Sequence, residues 1–195
     1  RLVKETDPLG HETSHTYDRS GNRLTQTTTR TTASGVETLV TSHEYDASGR
    51  LVKTTDPDGT STRTVYDALG RQVESHDKLG RKTAYEYDVM GRLVGTRHPG
   101  ESSETHEYDA EGRRTSSTDR GGRTTRYEHD PLGRLRKATY ADGSFTESTY
   151  DTAGRIVAAK DALGHATTYE HDSAGRRTAV VDALGQRTSF TYDAA

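Results

Sequence analysis

Glu86 to Thr96 reads EYDVMGRLVGT, and Glu44 to Thr54 reads EYDASGRLVKT, a near copy. Working outward from this pair, a Tyr-Asp or His-Asp dipeptide recurs along the whole chain. It stands at Tyr17-Asp18, Tyr45-Asp46, Tyr66-Asp67, Tyr87-Asp88, Tyr108-Asp109, His129-Asp130, Tyr150-Asp151, His171-Asp172 and Tyr192-Asp193. The first interval is 28 residues and the next seven are all 21. A fixed period of this length marks a repeat architecture, in which each unit is one supersecondary element that stacks on its neighbours.

Three residues after each of the first eight Asp comes a glycine: Gly21, Gly49, Gly70, Gly91, Gly112, Gly133, Gly154 and Gly175. Arg50, Arg71, Arg92, Arg113, Arg134, Arg155 and Arg176 follow directly, with Asn22 in place of the first. Half a period away lies a looser Asp-x-x-Gly, beginning at Asp7, Asp56, Asp77, Asp119, Asp161 and Asp182. Asp at the first position of a type I turn accepts hydrogen bonds from the backbone ahead of it. Gly at the fourth takes a left-handed conformation without steric cost. Such a turn with its Gly bulge is a common hairpin connection.

Between turns the residues alternate. In RKTAYEYD, Thr83, Tyr85 and Tyr87 fall on one side, and Lys82, Ala84 and Glu86 on the other. Thr stands four residues before the Tyr or His of eight units, with Glu104 the exception. Two before it stands His15, His43, Thr64, Tyr85, His106, Tyr127, Ser148, Tyr169 or Phe190. This is a period-2 strand with a Thr/aromatic/Tyr face. One unit therefore predicts one β-hairpin, and the chain predicts an all-β meander of roughly 16 to 18 antiparallel strands. So large a sheet is expected to curve, because strand twist accumulates. The longer first interval holds TQTTTRTTASGVETLV, Thr25 to Val40, and predicts a longer hairpin turning at Ala33-Ser34-Gly35.

Composition agrees with a repeat array and not with a conventional core. Leu, Ile, Val and Phe together number 26 of 195 residues, below the ~20% that usually marks a foldable globular chain. Mean hydropathy is -0.99. Net charge is only -3, however, and there are eleven Tyr, which sets the chain apart from disordered sequences. Tyr, Thr and Val must do the burying. In stacked units the Tyr, Asp and Arg columns become ladders: Tyr supplies contact area, and Asp satisfies turn amides. Arg pairs with the carboxylate or stacks on the ring. With no cysteine, disulfides and thiolate zinc sites are excluded. No apolar run approaches the ~18 residues of a membrane span, and interspersed charges predict no basic patch for nucleic acid.

The YDxxGRL signature with its 21-residue period resembles the Rhs or YD repeats of bacterial Rhs proteins, which also occur in the B and C components of insecticidal toxin complexes and in animal teneurins. Copies such as YDALGR (Tyr66–Arg71) and YDAEGR (Tyr108–Arg113) match well. His129 and His171 depart at the Tyr position, Arg114 and Arg177 at the Leu position. The resemblance implies a spiralling sheet that forms a segment of a hollow β-shell. In bacterial polymorphic toxins such a shell encloses a C-terminal toxin polypeptide before delivery. The partners implied are the remainder of the same shell, the enclosed toxin, and secretion-system or capping components. The implied location is secreted or cell-surface. Bacterial members carry a self-cleaving aspartyl-protease region associated with a DPxG stretch. Here DPLG and DPDG lie in phase with the other turns and read as turns. Residues 1–195 read as one array of about nine repeats, opening and closing inside a unit, and so as an internal piece of a larger protein.

No residue set announces catalysis, a metal or a cofactor. His129 and His171 stand two units apart, about 20 Å in a flat meander, and read as rings in place of Tyr. Glu44, Glu86, Glu107, Glu128 and Glu170 recur with the repeat and read as a solvated or Arg-paired face, not as a catalytic pair. The alternative to a toxin shell is a surface adhesin or carbohydrate-binding array using exposed Tyr and Arg.

Overall fold

The structure, a computed structural model, describes residues 1–33 and 35–193. The chain forms two compact units, Arg1–Ser102 and a second beginning at Ser103. The first holds nine strands: β1 (Lys4–Thr6), β2 (Glu12–Tyr17), β3 (Arg23–Thr32), β4 (Gly35–Tyr45), β5 (Leu51–Thr55), β6 (Ser61–Tyr66), β7 (Gln72–His76), β8 (Lys82–Tyr87) and β9 (Leu93–Arg97). The second also holds nine: β10 (Ser103–Tyr108), β11 (Arg114–Thr118), β12 (Thr124–His129), β13 (Leu135–Thr139), β14 (Phe145–Tyr150), β15 (Ile156–Lys160), β16 (Ala166–His171), β17 (Arg177–Val181) and β18 (Arg187–Ser189).

Within the first unit every strand pairs antiparallel with the next in the chain. The second unit follows the same rule. In each unit the nine strands are the antiparallel hairpin meander that the period predicts, and the described residues contain no helix.

The two turns of a repeat differ. At the Tyr-Asp turns the register shifts just before the Tyr or His, as between Val65 and Tyr66, where Val65 faces Glu74 and Tyr66 faces Gln72. Val73 is the extra residue of this β-bulge, which locally bends the strand and increases its twist. The half-period hairpins keep register, as in the Lys53–Arg63, Thr54–Thr62 and Thr55–Ser61 pairs. Two half-period turns carry no Asp at their first position and so escape the motif. One closes with the His98 amide on the Ser102 carbonyl at 2.8 Å, the other with the Tyr140 amide on the Ser144 carbonyl at 2.8 Å. The Pro99-Gly100 dipeptide is the sequence signal for the first.

The long interval is a long hairpin. The β3–β4 ladder runs from Thr25–Ser42 out to Thr32–Gly35. β2 follows β3 only as far as Thr28, and β5 meets β4 only from Ser42. The distal ribbon is therefore paired with itself alone, and Val36 is 71% exposed. The expected turn includes Ser34, which lies outside the described residues.

Neither unit has a second layer. Among the described residues no side chain larger than Thr is buried; Thr96, Ala138 and Ala179 are. Thr96 faces Tyr85 across the ladder and Ala138 faces Tyr127. Ala179 faces Glu170. Small residues, two of the three opposite aromatic rings, thus make up what interior there is, and the Tyr and Thr columns are mostly half buried.

Candidate functional site

The repeat signature converges at the Tyr-Asp turns. At Asp67, the amide of Gly70 donates to the main-chain carbonyl at 3.0 Å, and the Asp67 amide donates to the Arg71 carbonyl at 2.9 Å. The carboxylate completes the turn. Its Oδ1 accepts the amides of Leu69 and Arg71, both at 2.9 Å, and its Oδ2 accepts Nε of Arg71 at 2.7 Å. The same Asp–Arg pair forms at Asp46–Arg50, Asp88–Arg92, Asp109–Arg113, Asp130–Arg134, Asp151–Arg155 and Asp172–Arg176. At Asp18 the amide nitrogen of Asn22 stands in for the guanidinium, 2.8 Å from Oδ2. Gly70 sits at φ +83°, and a Cβ there would lie 3.0 Å from Nη1 of Arg50. The position needs glycine both for its backbone and to let the previous repeat's guanidinium approach.

Sequence leaves Arg a choice between carboxylate and ring, and the structure gives it both, in different repeats. Each guanidinium pairs within its own turn, and Arg50, Arg71, Arg134 and Arg176 also reach the Tyr of the next repeat. Arg50 lies 4.6 Å from the Tyr66 ring centroid, Arg71 4.8 Å from Tyr87, Arg134 4.4 Å from Tyr150 and Arg176 4.8 Å from Tyr192. The same guanidinium donates to the carbonyl of the next Asp, at 3.0 Å for Arg155 to Asp172 and 3.1 Å for Arg176 to Asp193. The first of these bonds survives where His171 replaces Tyr. The Tyr hydroxyl closes the loop by donating backwards: Tyr87 to Gln72 O at 2.8 Å, Tyr150 to Leu135 O at 2.8 Å, Tyr45 to Arg23 O at 3.0 Å. Cation–π contact of this kind is stronger when partly desolvated.

The amide of Arg71 holds the Asp67 carboxyl below its ordinary pKa. Partial burial opposes this, and the Arg71 guanidinium adds to it. The same order of causes holds at Asp46, Asp88 and Asp151. Burial, joined by the charge of Arg23 or Arg114, pushes His43 and His106 down. His43 Nε2 and His106 Nδ1 are enclosed and have no hydrogen-bond partner.

The Glu column is met by cross-strand partners: Glu44 by Lys53 at 3.1 Å, Glu128 by Lys137 at 4.0 Å, Glu107 by the Ser116 hydroxyl at 2.8 Å and Glu170 by Arg187 at 2.5 and 2.7 Å. Among the described residues no three His, Asp or Glu side chains gather into a metal-binding group. Sequence reasoning missed the column nine residues after each Tyr or His. Thr54, Ser75, Thr96, Ser117, Ala138 and Ala159 there face the His, Thr, Tyr, His, Tyr and Ser of the aromatic column, while the larger Gln26 and Val180 face His15 and Tyr169. Aligning the units by period exposes these small residues.

The RHS Repeat family model matches residues 1–37, 26–61, 45–81, 66–103, 108–144, 150–186 and 171–195. The chain belongs to the RHS repeat family. Among solved structures, one fold match is a crystal structure of TcdB2-TccC3, with 18% identity, a TM-score of 0.61, and coverage of 96% of this chain and 12% of that one. Another is TcdB2-TccC3-Cdc42, with 15% identity, a TM-score of 0.58, and coverage of 91% and 12%. No curated protein sequence matches the chain. Family and fold together support a shell-like structural role, and the chain spans about an eighth of the length of these structural relatives.

Proposed function

We propose that this RHS array is a section of shell wall that encloses a toxin polypeptide and keeps it from solvent and proteases until delivery. In this reading the sheet curves about an axis as one stretch of a longer wall. Its partners are the rest of that wall, the enclosed polypeptide, and the components that cap or export it, so the protein works outside the cell that makes it.

The observation that carries the reading is the linkage between repeats. Within each unit, neighbouring repeats are joined by a backbone ladder and, at repeats such as Tyr66, Tyr87 and Tyr150, by an Asp–Arg–Tyr chain, without a second layer or a hydrophobic interior. Such an array extends indefinitely and gains stability from neighbours alone, which suits a wall. The likeness to TcdB2-TccC3 structures supports the same reading. A face rich in Thr, His and Tyr hydroxyls and ring nitrogens would border an enclosed chain without adhering to it strongly, since little apolar area is offered.

Limited proteolysis of the intact parent polypeptide tests this. An enclosed segment is expected to resist protease while the array is folded and to be digested once denaturant opens it. Digestion of every segment outside the array, with the array still folded, would overturn the proposal.

A further inference from the structure

A ligand site in a repeat protein should break the repeat, and one place in the second unit does so with a cavity attached. At six half-period turns the first residue is Asp. In the repeat that follows Asp119 it is Tyr140. With no carboxylate at its first position, the Tyr140 turn keeps its backbone bonds, Tyr140 to Ser144 at 2.8 Å and Gly143 to Tyr140 at 3.0 Å. Asp142 supports it from the third position, its Oδ1 accepting the Ser144 amide at 2.9 Å and hydroxyl at 2.7 Å. The phenol is freed from turn duty and remains 39% exposed.

Tyr140 lies one step beyond the Arg126–Thr139 pair, level with Thr125. Between it and the neighbouring Asp119–Arg123 turn lies a cleft of about 320 Å³, lined by Ser117, Asp119, Arg123, Thr125, Tyr140 and Asp142, with Ala141 at its side. Asp119 is committed: Oδ1 accepts the amides of Gly121 and Arg123, and Oδ2 accepts Nε of Arg123 at 2.8 Å. Ser117 Oγ shares a hydrogen bond with the Tyr127 hydroxyl at 3.1 Å. Asp142 retains an Oδ2 to accept further bonds, and the Arg123 side chain is 77% exposed.

We infer that this cleft binds a single neutral pyranose unit. The volume is at the small end of ligand cavities, which run from ~300 Å³ upward. A Tyr ring offers an apolar wall to the C–H face of a sugar, and the Asp142 carboxylate, the Thr125 hydroxyl and the Arg123 guanidinium supply acceptors and donors for its hydroxyls. Two carboxylates beside one guanidinium disfavour an anionic ligand, and the pairing of Asp119 with Arg123 leaves no concentrated negative charge to favour a cation. The inference is independent of what, if anything, the array encloses.

Saturation-transfer NMR on the full 195-residue chain tests it, with the methyl glycosides of glucose, galactose, mannose and N-acetylglucosamine, and glucuronate as the acidic probe. At least one neutral glycoside should receive saturation at millimolar concentration. Tyr140→Asp restores the residue that six other half-period turns use, so the fold should persist by circular dichroism while the signal falls at least tenfold. Asp142→Asn keeps the turn's acceptor oxygen and should weaken binding several-fold. Leu163→Ser, at a turn outside the cleft, should bind as the parent does. No saturation of any neutral glycoside, undiminished binding by Tyr140→Asp, or a preference for glucuronate would each overturn the inference.

Discussion

At the residue scale, the YD turn assigns each of its residues a separate task, and single substitutions should separate those tasks. Gly59 and Gly70 have the same backbone conformation, φ +82° and +83°, but they differ in surroundings. A methyl group added at Gly59 would meet open space, whereas one added at Gly70 would stand 3.0 Å from Nη1 of Arg50. Gly59→Ala should cost only the left-handed strain of an L-residue, about 1–2 kcal/mol. Gly70→Ala should cost clearly more in urea unfolding, because Arg50 must also leave its place over Tyr66. Protonation acts in one direction throughout. The Asp carboxyls of the turns have folded-state pKa values below their unfolded ones, so their contribution is complete above the unfolded value and is lost as pH falls through the folded one. His43 and His106 are also lowered. Their neutral form is the one the fold accommodates, and stability declines as pH drops below the unfolded value, 6.5. Stability measured by urea midpoint should thus fall in two stages on acidification, a histidine stage below neutrality and a steeper carboxylate stage below it. Tyr stands at the same column in other repeats, at Tyr85 and Tyr127, so replacing both His43 and His106 by Tyr should flatten the first stage and leave the second.

At the scale of the element, the hairpin is the unit and its two ends are built differently. The YD end carries a bulge at every repeat, and the half-period end keeps register. The alternation of Thr, ring and Tyr predicts both strands, and Asp-x-x-Gly predicts most of the turns. The bulge was not legible, because an extra residue such as Val73 is as β-prone as any paired strand residue and nothing in its identity marks it as unpaired. The 28-residue interval does predict the long hairpin, since seven residues beyond the period can only lengthen it. Beyond the Thr28–Leu39 pair that ribbon has no strand on either side, and isolated two-stranded ribbons are marginal. Replacing Thr29–Thr38 by an Asn-Gly turn, the residues that favour a two-residue hairpin, should change unfolding free energy by less than about 1 kcal/mol. A larger loss would mean that the ribbon packs on the array.

At the scale of the whole molecule, stability should behave as a sum over neighbours, and the phase of the repeat should matter more than the amount of chain. Excising Asp151–His171 joins Tyr150 to Asp172 and preserves phase. The excised protein should fold, with a urea m-value about a tenth lower because that value scales with the surface exposed on unfolding. Deleting Thr168 alone, in β16, should be the more damaging change, since a slip of one residue turns the side chains beyond it to the opposite face. The sequence by itself determined the strand content, the order of pairing, the position of most turns and membership of the RHS family. All of these follow from local preferences repeated in register, and repetition makes a weak local signal unmistakable. Only the tertiary structure decided that residues such as Arg50, Arg71, Arg134 and Arg176 serve two repeats at once, that small residues such as Thr96 and Ala138 stand opposite the aromatic column, and that Tyr140 opens a cleft beside the Asp119 turn. Those features depend on which residues face one another across strands, a relation set by bulge and register and carried by no single stretch of the chain.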